Sequence, residues 1–263
     1  MKRAGMKKPS QDHQPVPIWG IHPVMEFLRT CPEAVVSMCV LPSFGNKPSQ
    51  HELLTLAGRQ GVNPAVMQDF NRQGMALGAV HQGVMAQVMP VWLLDMAELP
   101  GYLSGHEPLV VACDNVTDPQ NLGAIMRSCV VFGAQAVVVP SRGSPPVNGV
   151  VIKASSGAAA HIKVCEAGNL VKALAGLKDM GLWVVGLSPE AKTAIWDVDL
   201  SVPLCLVAGA EGEGLRRLVK KTCDITAFIP QHPGVASLNV ASATSVFLYE
   251  GARQRYLMKM AGV

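Results

Sequence analysis

The sequence predicts an α/β protein built on a parallel sheet, preceded by a smaller α/β unit. From Leu109 onward, short apolar runs ("LVVACDN", "AQAVVVP", "HIKVCE", "LWVVGLS", "LCLVAGA" and "ITAFIP") alternate with stretches of helical periodicity. Strands that are apolar throughout and alternate with helices imply a parallel sheet covered on both faces. Before residue 90 the pattern is mixed, and the segment between, "PVWLLDMAELPGYLSGHEP", is punctuated by Pro90, Pro100, Gly101, Gly105 and Pro108. The expected division is a flexible basic tail at 1–16, a small α/β domain at 17–90, a linker at 91–107 and the sheet domain at 108–263.

In the small domain, Val24 to Leu28 predicts a short helix after "WGIHP" and Val35 to Leu41 a strand. Glu52 to Arg59 predicts a helix that Gly61 stops, and His81 to Val88 alternates as a strand does. Trp92 to Leu99 predicts a helical turn or two. In the sheet domain the predicted helices are "NLGAIMRSCVVFG", "VNGVVIKASSGAAA", "NLVKALAGLKDMG" (ended by Gly181) and "GLRRLVKKTC". Val240, Ala243, Phe247, Leu248 and Gly251, at three- and four-residue spacing, predict a last helix.

Composition narrows the function classes. The 263 residues are 49% hydrophobic, which excludes disorder for most of the length. The formal net charge of +3 does not by itself identify a nucleic-acid binder. The basic residues are unevenly placed, however: Lys2, Arg3, Lys7 and Lys8 in the tail, and Arg216, Arg217, Lys220 and Lys221 near the other end. None of the seven cysteines forms a C-x-x-C pair, and no His/Cys cluster has metal-ligand spacing, so no metal is expected. The basic start runs into Pro9-Ser10-Gln11-Asp12 rather than an apolar core, and no stretch is apolar over the roughly 18 residues of a membrane span. A reduced cytoplasm, with no membrane partner, is the expected compartment.

In a parallel sheet, ligands sit beyond the carboxyl ends of the strands. Three loops there could carry chemistry. In "DNVTDPQNLGAIMRS" the dinucleotide fingerprint G-x-G-x-x-G is absent. Asn121 is expected to cap the following helix, and Arg127 projects away from the stripe of Leu122, Ile125, Met126, Cys129 and Val130. Such an arginine is either an ordinary exposed side chain or a phosphate clamp at the ligand edge. In "VAGAEGEGLRR" a strand leads through a glycine-rich turn into a helix, the layout of a phosphate cradle. Glu211 and Glu213 in that turn would repel a phosphate, so a nucleoside without phosphate, or a cation, fits better. S-adenosylmethionine is both. In "IPQHPGVASLNVASATS", Pro230 and Gly234 shape a loop, and Asn239 or Ser237 can cap the last helix.

These three segments resemble the three motifs of the SpoU/TrmH family, RNA ribose 2′-O-methyltransferases of the SPOUT superfamily, over roughly Leu109 to Arg255. "WGIHPVMEFL" and "GAVHQGVMAQV" resemble the start and end of the L30e-like RNA-binding domain of the family's large-subunit rRNA branch. The resemblance implies a trefoil knot around Gly209 and Ile229 to Asn239. It also implies S-adenosylmethionine held mainly through backbone at Gly209, Ile229 and Leu238, and a homodimer with active sites at its interface. The positions matching the family's functional residues are Asn121, Arg127, Glu211, Ser237 and Asn239. A guanosine of 23S rRNA is the implied target, with transfer RNA, or RNA binding in ribosome assembly without catalysis, as alternatives. Two departures are Gln231-His232-Pro233-Gly234, where the family commonly has Met-Ala or Met-x-Gly, and Asn115, where glycine is frequent. His22, His81 and Gln82 are candidates for RNA contact or turn stabilisation, the latter ahead.

Overall fold

The computed structural model describes residues 13–70, 78–104, 107–210, 214–232 and 238–261. Residues 1–12, which carry the basic side chains of the expected tail, therefore lie outside the described residues, as do Glu211, Glu213, Pro233, Gly234 and Ser237, while Val16, expected in the tail, opens the first strand. The chain divides into two compact units, one made of residues up to Trp92 together with Val147–Ala160, the other of Leu93–Pro146 and His161 onward.

The first unit holds β1 (Val16–Trp19), α1 (Ile21–Thr30), β2 (Val35–Val40), α2 (Pro48–Arg59), β3 (Ala65–Val66) and β4 (Val84–Val88). Its sheet runs β1-β4-β2-β3, with β4 antiparallel to both neighbours and β3 parallel to β2. Ile18, Val24, Phe27, Leu28, Leu53, Val84 and Val88 are buried in its core, and Phe27 meets Trp92 edge-on with ring centroids 6.0 Å apart. Gly61, at φ 72°, ends α2, the left-handed conformation glycine adopts without a Cβ penalty.

The turn before β4 is built by its own side chains. His81 Nδ1 accepts from the Gly83 amide at 3.0 Å, and its ring packs edge-on to Phe70. Gln82, left-handed at φ 55°, accepts at Oε1 from the Ile21 amide at 3.0 Å and from Lys153 Nζ at 3.2 Å. Both side chains thus stabilise the turn. His22 is exposed on α1.

The second unit contains α3 (Leu99–Leu103), β5 (Leu109–Asp114), α4 (Pro119–Val131) and β6 (Ala136–Pro140). The next helix, α5 (Gly149–Ala154), belongs to the first unit. Then come β7 (Lys163–Ala167), α6 (Leu170–Asp179), β8 (Trp183–Leu187), β9 (Thr193–Ala194), β10 (Leu204–Gly209), α7 (Arg217–Thr222), β11 (Ile225–Phe228) and α8 (Val240–Ala261). The seven strands are ordered β7-β6-β5-β10-β8-β11-β9, with every pairing parallel. All of β5 and β6, and β10 up to Ala208, is buried, as expected of strands covered on both faces. Among the described residues no helix is long and apolar enough to cross a membrane.

Three local expectations change. The helix expected at Trp92 to Leu99 forms instead at Leu99–Leu103, because Pro100 is tolerated only in a first turn. "VNGVVIKASSGAAA" is not one helix. Ser156 (φ 55°) and Gly157 (φ 92°) are left-handed and stop α5, and a single 3-10 turn follows at Ala158–Ala160. Asn121 does not cap α4. Pro119 sits in the first turn, and Asp118 is the cap, accepting from the Gln120 amide at 2.9 Å.

Candidate active site

The carboxyl ends of the central strands separate and leave a pocket. β10 pairs with β8 only as far as Val207↔Gly186. Beyond that point β10 continues beside β5 to Gly209↔Asp114, while β8 continues beside β11 to Leu187↔Ala227. Between the diverging ends lies a pocket lined by Leu187, Ala208, Gly209, Ala227, Ile229 and Leu238, among others. Strand ends that leave a ladder partner offer main-chain donors and acceptors to a ligand.

Gly209, Ile229 and Leu238 are 29 residues or less apart in sequence and line one pocket. No Lys, Arg, Asp or Glu lines it among the described residues. Among the described lining residues none carries a charge that would neutralise a phosphate, which suits a nucleoside without one and so the adenosyl part of S-adenosylmethionine. At Gly209 a Cβ would strike the backbone of Gly214 and Leu215, so the close approach of strand and turn requires glycine. Reciprocal Ala210–Gly214 main-chain hydrogen bonds of 3.1 and 3.0 Å close that turn.

Asn239 does two jobs. Its Oδ1 accepts from the Ala241 amide at 2.9 Å, capping α8, and its Nδ2 donates to Asn121 Oδ1 at 2.9 Å. Asn121 is buried within α4. Two turns further along α4, Ser128 and Ser245 join α4 to α8 by a 2.7 Å hydroxyl contact. Arg127, next to Ser128 in α4, is exposed and is not among the residues lining the pocket. The far half of α8 is fixed by Arg255, which donates to the Val202 carbonyl at 2.8 Å and to those of Leu200 and Pro108 at 3.3 Å.

Sequence reasoning missed Asp114. It ends β5 fully buried and accepts at Oδ1 from Arg216 Nε at 2.6 Å and at Oδ2 from the Arg216 amide at 2.8 Å. A charged residue closing a run of five buried apolar ones was the available signal. Asn115, expected to stand where glycine is frequent, is left-handed at φ 62°. Asparagine is the side chain most tolerant of that region after glycine, which explains the exchange.

A family model described as the SpoU rRNA methylase family matches residues 108–249. The chain belongs to the SpoU rRNA methylase family. A second model, for RNA 2′-O ribose methyltransferase substrate binding, matches residues 17–91. The chain is 38% identical over 251 residues to the 23S rRNA (guanosine-2′-O-)-methyltransferase RlmB of Pseudomonas putida, covering 92% of this chain and 98% of that protein. It is 40% identical over 243 residues to RlmB of Pasteurella multocida, covering 90% and 98%. The fold is that of the SpoU methyltransferase AviRb from Streptomyces viridochromogenes, with a TM-score of 0.75 at 22% identity over 93% of this chain and 91% of that one. AviRb is also known in complex with AdoMet, with a TM-score of 0.72 to this chain.

Proposed function

We propose that this protein methylates the ribose 2′-hydroxyl of a guanosine in 23S ribosomal RNA, using S-adenosylmethionine. The observation that carries this reading is the pocket at the diverging ends of β8 and β10, free of charged side chains among the described residues, with the Asn121–Asn239 pair beside it. The names of the full-length relatives support the target.

The bound cofactor supplies a methyl group already activated on a sulfonium. The chain must then align the sugar oxygen and handle one proton. Gly209, Ile229 and Leu238 hold the adenosyl group, chiefly through main chain and apolar contact. Arg127 grips the RNA phosphate next to the reacting sugar and stabilises negative charge developing on the 2′-oxygen. A guanidinium with a pKa above about 12 is a poor general base, which favours the electrostatic role. Asn121 and Asn239 set the angle between α4 and α8, and so the position of Arg127. Glu211 and Ser237, outside the described residues, are assigned to orienting Arg127 or the cofactor.

The working form is a homodimer. Support comes from exposed apolar side chains at the end of α4 and on α8, namely Val131, Val246 and Tyr249, with Phe132 edge-on to Tyr249. Contiguous exposed apolar surface marks an interface. The β10 strand inserted between β5 and β8 supports threading of the chain through a trefoil knot. All seven cysteines are unpaired, which supports a reducing cytoplasm.

Mapping 2′-O-methyl sites in ribosomal RNA from cells with and without the gene tests the assignment. One guanosine of 23S rRNA should lose its methyl group. An unchanged 23S map, or a change confined to transfer RNA, would refute the target.

A further inference from the structure

The basic cluster Arg216, Arg217, Lys220 and Lys221 has no part in the site so far, and the structure breaks it into unlike members. Lys220 is neutralised by Glu190 at 2.9 Å. Arg217 and Lys221 are exposed on α7. Arg216 alone is anchored: its Nε and its amide take both oxygens of the fully buried Asp114. Its side chain is nonetheless 54% exposed, and Nη1 and Nη2 have no partner among the described residues.

A buried carboxylate holding Nε leaves the guanidinium's outer edge in a fixed direction, with two nitrogens ready for a bidentate contact. The anchor also fixes the place. Asp114 is the register partner of Gly209 across the β5–β10 ladder, and Gly209 lines the pocket. Arg216 follows Gly214, another lining residue, by two positions, yet is not in the lining itself. It stands beside the pocket, facing solvent, where a polyanion can reach it.

We propose that Arg216 is an RNA-phosphate contact at the rim of the methyl-transfer site, and that Asp114 is its positioning residue. This rests on the assignment of the protein as an RNA methyltransferase. The pair orients substrate RNA over the pocket and takes no part in methyl transfer itself.

The test uses Arg216→Lys and Arg216→Ala in the full chain, with unmodified 23S rRNA transcript and labelled S-adenosylmethionine. The lysine ammonium can satisfy Asp114 and preserve the fold, but then has no nitrogen left to face outward. Arg216→Lys should raise KM for RNA about tenfold, the loss of one charge-assisted contact, with kcat and cofactor Kd at wild-type values. Arg216→Ala should raise KM at least as much while also lowering stability, because it strips Asp114 of its side-chain partner. The plot of log RNA affinity against log salt should become shallower by about 0.7 to 0.9, the share of one phosphate. Unchanged KM and salt slope in a folded Arg216→Lys enzyme would overturn the inference. A weakened cofactor Kd in that variant would also overturn it, since Arg216 would then serve the cofactor. Absence of methyl transfer by the wild-type enzyme would overturn the underlying assignment instead.

Discussion

Asn239 Nδ2 donates to Asn121 Oδ1 at 2.9 Å, joining two residues 118 positions apart and linking the start of α8 to α4. The same Asn239 caps α8 through Oδ1. Asn239→Ala therefore removes a cap and takes a donor from a buried amide oxygen. The expected cost is about 2 to 3 kcal/mol, the sum of a cap and an under-satisfied buried acceptor. Asn239→Asp keeps the cap and should cost less. Urea unfolding checks this, with a lower midpoint and unchanged slope for both variants and the larger shift for alanine.

Gly209→Ala places a methyl group against the backbone of Gly214 and Leu215, and backbone cannot yield as a side-chain tip does. The turn must open, at a cost of about 1 to 3 kcal/mol for overpacking. Because Gly209 also lines the pocket, calorimetry should show S-adenosylmethionine affinity reduced in this variant even where the protein remains folded. Wild-type affinity would separate the glycine's packing role from the site.

Much of this arrangement was legible in the sequence, for physical reasons. Strands buried on both faces, such as "LVVACD", print as unbroken apolar runs, and their alternation with helices gave the parallel sheet. The three loops followed from the strand ends. The rest depended on proximity that spacing does not encode. The Asp114–Arg216 pair spans 102 residues and sits where the strand order places β10 beside β5. Asn121 looked like a cap because it precedes the apolar stripe, but Pro119 fits the helix's first turn and moved the cap back to Asp118. The two-residue β9 is too short to show alternation.

The homodimer predicts a solution property. Tyr249 is 58% exposed on α8, and its ring meets Phe132 with centroids 6.1 Å apart. Tyr249→Glu should halve the mass seen by sedimentation and abolish methylation, while the circular dichroism spectrum stays unchanged. A wild-type protein that already sediments as one chain would refute the dimer.

The buried thiols predict an alkaline weakness. Burial pushes Cys113, with Asp114 beside it, up to about 12, and Cys165 likewise to about 12, from an ordinary 9.0. Burial raises Cys223 to about 11. Below pH 9 these thiols are neutral in folded and unfolded chains alike, and the stabilisation is fully present. Between pH 9 and 12 the unfolded chain sheds protons that the native core retains, so stability falls. Urea midpoints measured on either side of pH 9 should show this decline, and Cys113→Ala should make it shallower. An equal decline in that variant would assign the effect to other groups.

The proposed division of labour is a pocket that holds the cofactor and an arginine outside its lining that serves the RNA. Arg127→Ala tests it most directly, measured for cofactor binding by calorimetry and for labelled methyl transfer to 23S rRNA in the same preparation. Methyl transfer should be lost and S-adenosylmethionine affinity unchanged. Loss of both together, or full methylation without the arginine, would contradict it.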